Sequence, residues 1–266
     1  MGAAMLTIRC LIALLLACAV WLPAQAGRRC DGTGPSLQSV EQGMALAAKV
    51  SQALDASGAR VVLLARAGQD LTKYQLRYSH MAFAIKTEAG PWRVVHKLNE
   101  CGTATSHLYR QGLGEFFLDD PWRLQAAWAV PTPAVQAALV PVLQDAARAG
   151  TLHEPAYNMV GYAWGLKYQQ SNQWVTETLA LAMVPAGVKD RAQAQAWLRF
   201  NGYEPTALKL GPLARLGGRV GSANIAFDDH PNEKRFADRI ETVTVDSVFE
   251  WLPRAGLAGA PQSMGL

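Results

Sequence analysis

The chain has 266 residues, half of them hydrophobic, and a formal net charge of +4. That length suits one generous domain or two small ones, and that composition can fill a core, which excludes a largely disordered chain. No basic run stands out, so there is no electrostatic footprint for nucleic acid.

The first 26 residues have the layout of a secretory signal. Arg9 supplies a positive n-region, Leu11 to Leu22 an apolar stretch too short to span a bilayer comfortably, and Ala24-Gln25-Ala26 an A-x-A-type cleavage site. Leu15-Leu16-Ala17-Cys18 has the residue types of a lipid-attachment site, a competing reading in which Cys18 anchors a lipoprotein. No later stretch is long and apolar enough for a membrane span. The mature chain is therefore expected to be exported, periplasmic or secreted, with cleavage after Ala26. Cleavage leaves Cys30 and Cys101, which in an oxidising compartment are expected to pair, although a free, reactive Cys101 is an alternative.

Leu37, Val40, Met44, Ala47, Val50 and Leu54 recur at helical spacing, so Ser36 to Ala56 reads as an amphipathic helix with Ser36 as N-cap. Arg60 to Arg66 is a continuous apolar strand, expected to be buried on both faces. A second strand, Ser79 to Lys86, carries His80 at its mouth. After a turn at Glu88 to Pro91, a third strand alternates from Trp92 to Leu98, putting His96 on one face and Lys97 on the other. Asn99 to Thr105 reads as a loop, Leu108 to Leu118 as a short strand or turn, and Leu124 to Val130 as another strand. Thr132-Pro133 opens a helix to about Ala149, kinked at Pro141 and stopped by Gly150.

Tyr157 to Tyr168 is aromatic and has no clear period. Ser171-Asn172 precedes an apolar periodic run and reads as a helix cap, and a further helix covers Asp190 to Phe200. The Gly- and Pro-rich stretch 203–222, with Lys209, Arg215 and Arg219, reads as an exposed basic loop of no assigned role. Asn224 to Phe227 is a short strand, Asp228-Asp229-His230-Pro231 a turn rather than a metal site, Ile240 to Val245 a last strand, and Ser247 to Leu252 a helical turn. Residues 27–253 form one α+β domain, and the tail 254–266 is expected to fray. Two cysteines without paired histidine spacing make a poor zinc site, and no metal or cofactor is expected.

A histidine on a strand and a hydroxyl at a helix start are the ingredients of nucleophilic catalysis, because the helix dipole favours negative charge at its N-terminus. In that reading His80 is the base, Ser171 the nucleophile and His96 the orienter of His80, while Asn172 and Gln173 help bind an oxyanion. Tyr168 and Trp174 join Asn172 and Gln173 as candidate binding residues, since neighbouring aromatics can line a cleft. The plainer reading makes His80 and His96 hydrogen-bonded structural residues and Ser171 a cap.

Ser79-His80-Met81-Ala82, Val94-Val95-His96 and Tyr168-Gln169-Gln170-Ser171-Asn172-Gln173-Trp174 resemble the histidine, third-member and nucleophile segments of circularly permuted papain-like proteins of the NlpC-type branch. Ala82 stands where glycine is usual, and Ser171 stands nearest the place of the nucleophilic cysteine. From roughly Cys30 to Leu252 the chain more closely resembles an uncharacterised exported bacterial family, the domain of unknown function DUF2145. That likeness rests on Tyr78-Ser79-His80, Asn99 with Cys101-Gly102-Thr103, Ser171-Asn172-Gln173-Trp174, Phe227 to Pro231 and Thr242 to Ser247. The first resemblance implies a papain-like antiparallel sheet packed on helices. With the thiol missing, it implies a degenerate site that binds a peptide, glycan or lipid ligand of the cell envelope. The alternatives are an amide or ester hydrolase or acyltransferase, and a structural envelope protein.

Overall fold

Runs of buried β-branched and aromatic residues build the centre of the molecule. The computed structural model describes residues 34–88, 90–119 and 121–266. The expected signal segment, Cys18 and Cys30 lie outside the described residues. Strands β1 (Val61–Arg66), β2 (His80–Lys86), β3 (Trp92–Asn99), β4 (Ser106–Gly112), β5 (Gln125–Ala129) and β8 (Gln262–Gly265) form one six-stranded sheet in the order β4-β3-β2-β1-β5-β8. Every pairing in it is antiparallel.

The pleat sends successive side chains to opposite faces, and both faces are covered. Even-numbered Val62, Leu64, Ala82, Ala84 and Val94 meet helix α1 (Leu37–Ala56) and the short helix α2 (Leu113–Phe117). Odd-numbered Val61, Leu63, Met81, Phe83 and Val95 meet α3 (Pro133–Gln144) and α5 (Ser171–Met183). This is why β1 is buried at all six positions, as its uninterrupted apolar run implies. The protein is thus an α+β fold with an antiparallel sheet between helices.

Ser36 caps α1 by accepting from Ser39 N–H, as its sequence position predicts. The single helix expected from Pro133 to Ala149 is instead two, α3 and α4 (Ala146–Ala149). The break falls at Asp145, whose extended backbone leaves its carboxylate to accept from the N–H groups of Ala147 and Arg148. Helix α6 (Arg191–Phe200) begins at Asp190, which accepts from Gln193 N–H.

Three expectations fail. The stretch 203–222 is not a loop: it holds β6 (Thr206–Lys209) and helix α7 (Pro212–Gly221), started by a proline in its first turn. Residues 224–227 form no strand. Strand β7 (Arg239–Thr242) pairs instead with β6, and with α8 (Asn232–Phe236) beside it this small sheet has its own core of Leu208, Leu210, Phe227 and Ile240. The C-terminus does not fray past Pro253: helix α9 (Val245–Arg254) is followed by β8, which takes the free edge of β5. An unpaired sheet edge leaves its N–H and C=O groups unsatisfied by protein, which is the physical reason a polar tail is held there.

Candidate functional site

His80 opens β2 and His96 lies on β3, both at even positions, so both rings point to the α2 side of the sheet, against Phe116. His80 Nε2 lies 3.0 Å from His96 Nδ1, and His96 Nε2 lies 2.8 Å from Gln111 Oε1. The amide oxygen can only accept, so His96 Nε2 carries the proton and its Nδ1 is an acceptor. His80 must then donate from Nε2, leaving Nδ1 as a bare acceptor. That nitrogen makes no hydrogen bond among the described residues. Burial, then the Arg66 guanidinium, holds His80 well below the ordinary imidazole value and His96 at about 4, so both rings are neutral at physiological pH. Arg66 is buried beside them, paired with Asp119, donating to the Phe116 carbonyl and stacked 4.8 Å from the Phe116 ring centroid.

Ser79 explains its place before His80. Its Oγ accepts from Gly68 N–H at 3.0 Å and Gln69 N–H at 2.9 Å, closing the β1–β2 connection.

Ser171 is the first residue of α5, but it is not the cap. Gln170 is, accepting from Asn172 N–H at 3.3 Å and donating to Thr242 Oγ1 at 2.8 Å and to the Val243 carbonyl at 2.6 Å. Ser171 Oγ lies 3.4 Å from Tyr157 OH. Among the described residues no hydrogen bond joins Ser171 to His80. The two approach the start of β2 from opposite faces of the sheet, because α5 covers the odd-numbered side. They meet at the sheet's end, where both line one cleft of about 980 Å³. Tyr74, Tyr109, Gln111 and Tyr157 also line it, as do Ser222 to Ile225 after α7.

The neighbouring candidates serve the scaffold. Asn172 lines the cleft, but its Oδ1 accepts from Met81 N–H at 2.9 Å, tying α5 to β2. Gln173 is buried and donates to the carbonyls of Tyr162 and Ala163, which removes its amide N–H from oxyanion binding. Trp174 is buried under α5 with its ring 5.8 Å from that of Phe83, so it belongs to the core and not to a ligand surface. Tyr168 bonds Asp228 outside the cleft. The Asp228-Asp229-His230 run is a clasp: Asp229 Oδ2 accepts from Tyr162 N–H at 2.7 Å and His230 Nε2 donates to the Val160 carbonyl at 2.9 Å. Cys101 sits in the β3–β4 turn on the cleft wall; its expected partner, Cys30, lies outside the described residues.

Gln111 and the Arg66–Asp119 pair carry much of this geometry and had no sequence signal, whereas Tyr157 was visible as one of a cluster of aromatics suited to a cleft and Gln170 as part of the nucleophile-like segment. Gln111 meets His96 only through the β3–β4 register, in which His96 opposes Tyr109 and Val94 opposes Gln111. A diagonal neighbour of that kind is invisible until the register is known.

Fold and site together define an antiparallel α+β protein with a histidine-bearing cleft of mixed polar and apolar lining at the end of its sheet. Residues 53–252 match the family described as "Uncharacterized protein conserved in bacteria (DUF2145)", and the chain belongs to that family. No curated protein and no solved structure matches it.

Proposed function

We propose that this is an exported cell-envelope protein whose cleft binds a peptide or glycan in the remnant of a papain-like site. The observation that supports binding over catalysis is the partner of Ser171 Oγ, which is Tyr157 OH and not a ring nitrogen of His80. A serine has no thiolate form to fall back on, so without a base in contact its hydroxyl is a poor nucleophile. The cleft itself suits a neutral polar ligand. Cationic Arg66 and Lys73 are outnumbered by Asp70, Glu100 and Asp119, and tyrosines, amides and apolar side chains such as Leu76, Val160 and Ile225 fill the space between. That mixture favours a sugar or peptide over a phosphate-bearing lipid headgroup.

A second reading has one specific observation in its favour. His80 lines the cleft, and the Gln111–His96–His80 chain leaves its Nδ1 as an acceptor, the tautomer a general base requires. In that reading a rearrangement brings Ser171 to His80. Nδ1 takes the hydroxyl proton as Oγ attacks an amide or ester carbonyl, and His96 orients the ring. The order of a histidine strand, a second polar strand and a late helix opening on Ser171 is the part of the permuted papain-like pattern that supports it.

Export would place Cys101 in an oxidising compartment, where pairing with Cys30 pins the N-terminal segment to the cleft wall. A thiol titration of the processed, denatured, unreduced protein should find no free thiol; two free thiols would exclude the bond. For the site, ¹⁵N NMR titration with a peptidoglycan disaccharide-peptide should move the amides of Ser79, Gln111 and Ser171, and a serine-reactive fluorophosphonate should leave the protein unlabelled. Labelling abolished by both Ser171→Ala and His80→Ala would replace binding with catalysis. An unchanged spectrum would end the peptide or glycan assignment.

A further inference from the structure

Helix α7 is inside out. At 3.6 residues per turn Leu213, Leu216 and Val220 fall on one stripe. In a helix that packs by its apolar face that stripe would be covered. Here it faces solvent, with exposures of 85%, 60% and 77%. The opposite side holds the helix to the protein. Arg215 pairs with Asp238 at 2.7 Å and donates to the Leu210 carbonyl, and Gly218 lies so close to Ile225 that an added Cβ would stand 3.3 Å from its Cγ2. A polar and small-residue face turned inward, with leucines turned outward, is the reverse of what folding alone selects. Phe236, two residues before the Asp238 that anchors Arg215, is also 71% exposed. Scattered apolar residues on a surface need no explanation; a stripe on one helix does.

We infer that α7 docks the protein on an anionic membrane surface. The charge pattern selects that occupant. From Pro205 to Phe227 the chain carries Lys209, Arg215 and Arg219 and no aspartate or glutamate. Among the described residues Lys209 and Arg219 make no ion pair, whereas most of the carboxylates that follow are engaged: Asp228 by Lys167, Asp238 by Arg215, and Glu241 by Lys234 and Arg239, with Glu233 an exposed exception. Apolar side chains flanked by unpaired cations match an interface of acyl chains beneath anionic headgroups. The segment directly after α7, Ser222 to Ile225, lines the cleft, so docking would hold the cleft mouth close to the membrane. This inference does not depend on what the cleft binds.

Flotation tests it, using soluble protein expressed from the whole reading frame with vesicles of phosphatidylcholine alone or mixed with phosphatidylglycerol. The protein should float with the mixed vesicles, less so in high salt, and weakly with phosphatidylcholine. Leu213→Ser with Leu216→Ser should weaken binding about a hundredfold, roughly tenfold per leucine withdrawn from apolar contact. Arg219→Glu should weaken it about tenfold or more. Because these side chains are exposed, the thermal midpoint should not move. No flotation, or flotation that ignores all three changes, overturns the inference. A concentration-dependent dimer abolished by the leucine changes, without vesicle binding, overturns it in favour of a second copy of the chain.

Discussion

Lys97 is a fully buried cation in the odd-numbered face of β3, and its removal should stabilise the protein. Its ammonium donates to the Glu154 carbonyl, and its nearest charges are mixed: Arg191 opposes it while Glu154 and Glu177 favour it. Burial outweighs them, followed by Arg191, and lowers the group from 10.5 to about 7. Between those pH values the unfolded chain holds one proton more than the folded chain, so stability rises with pH across the window and is lost as pH falls towards 7. At roughly 1.4 kcal/mol per pH unit, the gap sets a ceiling of about 5 kcal/mol on the cost of the buried charge. Lys97→Met keeps most of the volume, removes that cost, and sacrifices one hydrogen bond worth about 1 kcal/mol. The expected net gain is about 2–4 kcal/mol at pH 7.5. Urea unfolding followed by tryptophan fluorescence would measure it at pH 7.5 and 9.5. Wild type should gain roughly 2–3 kcal/mol between the two pH values relative to the variant. Parallel stability curves, or a variant weaker than wild type at both pH values, would refute the reasoning.

The neighbouring ion pair should behave oppositely. Glu177 is buried and accepts from Arg191, Gln169 and Gln195, so Glu177→Ala should cost about 3–5 kcal/mol in urea unfolding by stranding the guanidinium, and Glu177→Gln visibly less. His96, held at about 4 against an unfolded value of 6.5, binds its proton later than the unfolded chain does; stability should therefore fall as pH drops from 6.5 towards 4, by about 3 kcal/mol from this residue alone. NMR titration of the His96 ring should find it neutral at pH 5.5, and a midpoint near 6.5 would contradict the buried Gln111–His96–His80 chain.

Much of the central sheet was readable because its residues obey one period each. Val61 to Leu64 and Met81 to Ile85 are apolar without interruption, and α1 shows its stripe plainly. Helix α5 was readable as a helix but not as a buried one: its polar residues, from Asn172 to Glu177, look like a solvated face and are in fact buried, held by internal hydrogen bonds except at Gln173 Oε1. Residues 203–222 were misread because Gly211-Pro212 and Gly217-Gly218 imitate a loop, although a proline in the first turn suits a helix start. The tail was misread because an edge strand needs only backbone groups, and Gln262 to Gly265 advertise nothing in their side chains. In the site, the histidines were legible as residue types. Their placement side by side on neighbouring strands was legible too, but the Gln111 end of the chain was not, since it depends on a cross-strand register set by the whole sheet.

The small sheet of β6 and β7 has a consequence for ligand capture. One wall of the cleft rises from the large central core, and the other from a satellite core of four residues. Regions with so little buried apolar contact open at lower free energy than the main core. The two jaws are therefore unequally stiff, and an occupant that bridges them should lend the weaker jaw part of the stronger one's rigidity, slowing amide exchange there before anywhere else.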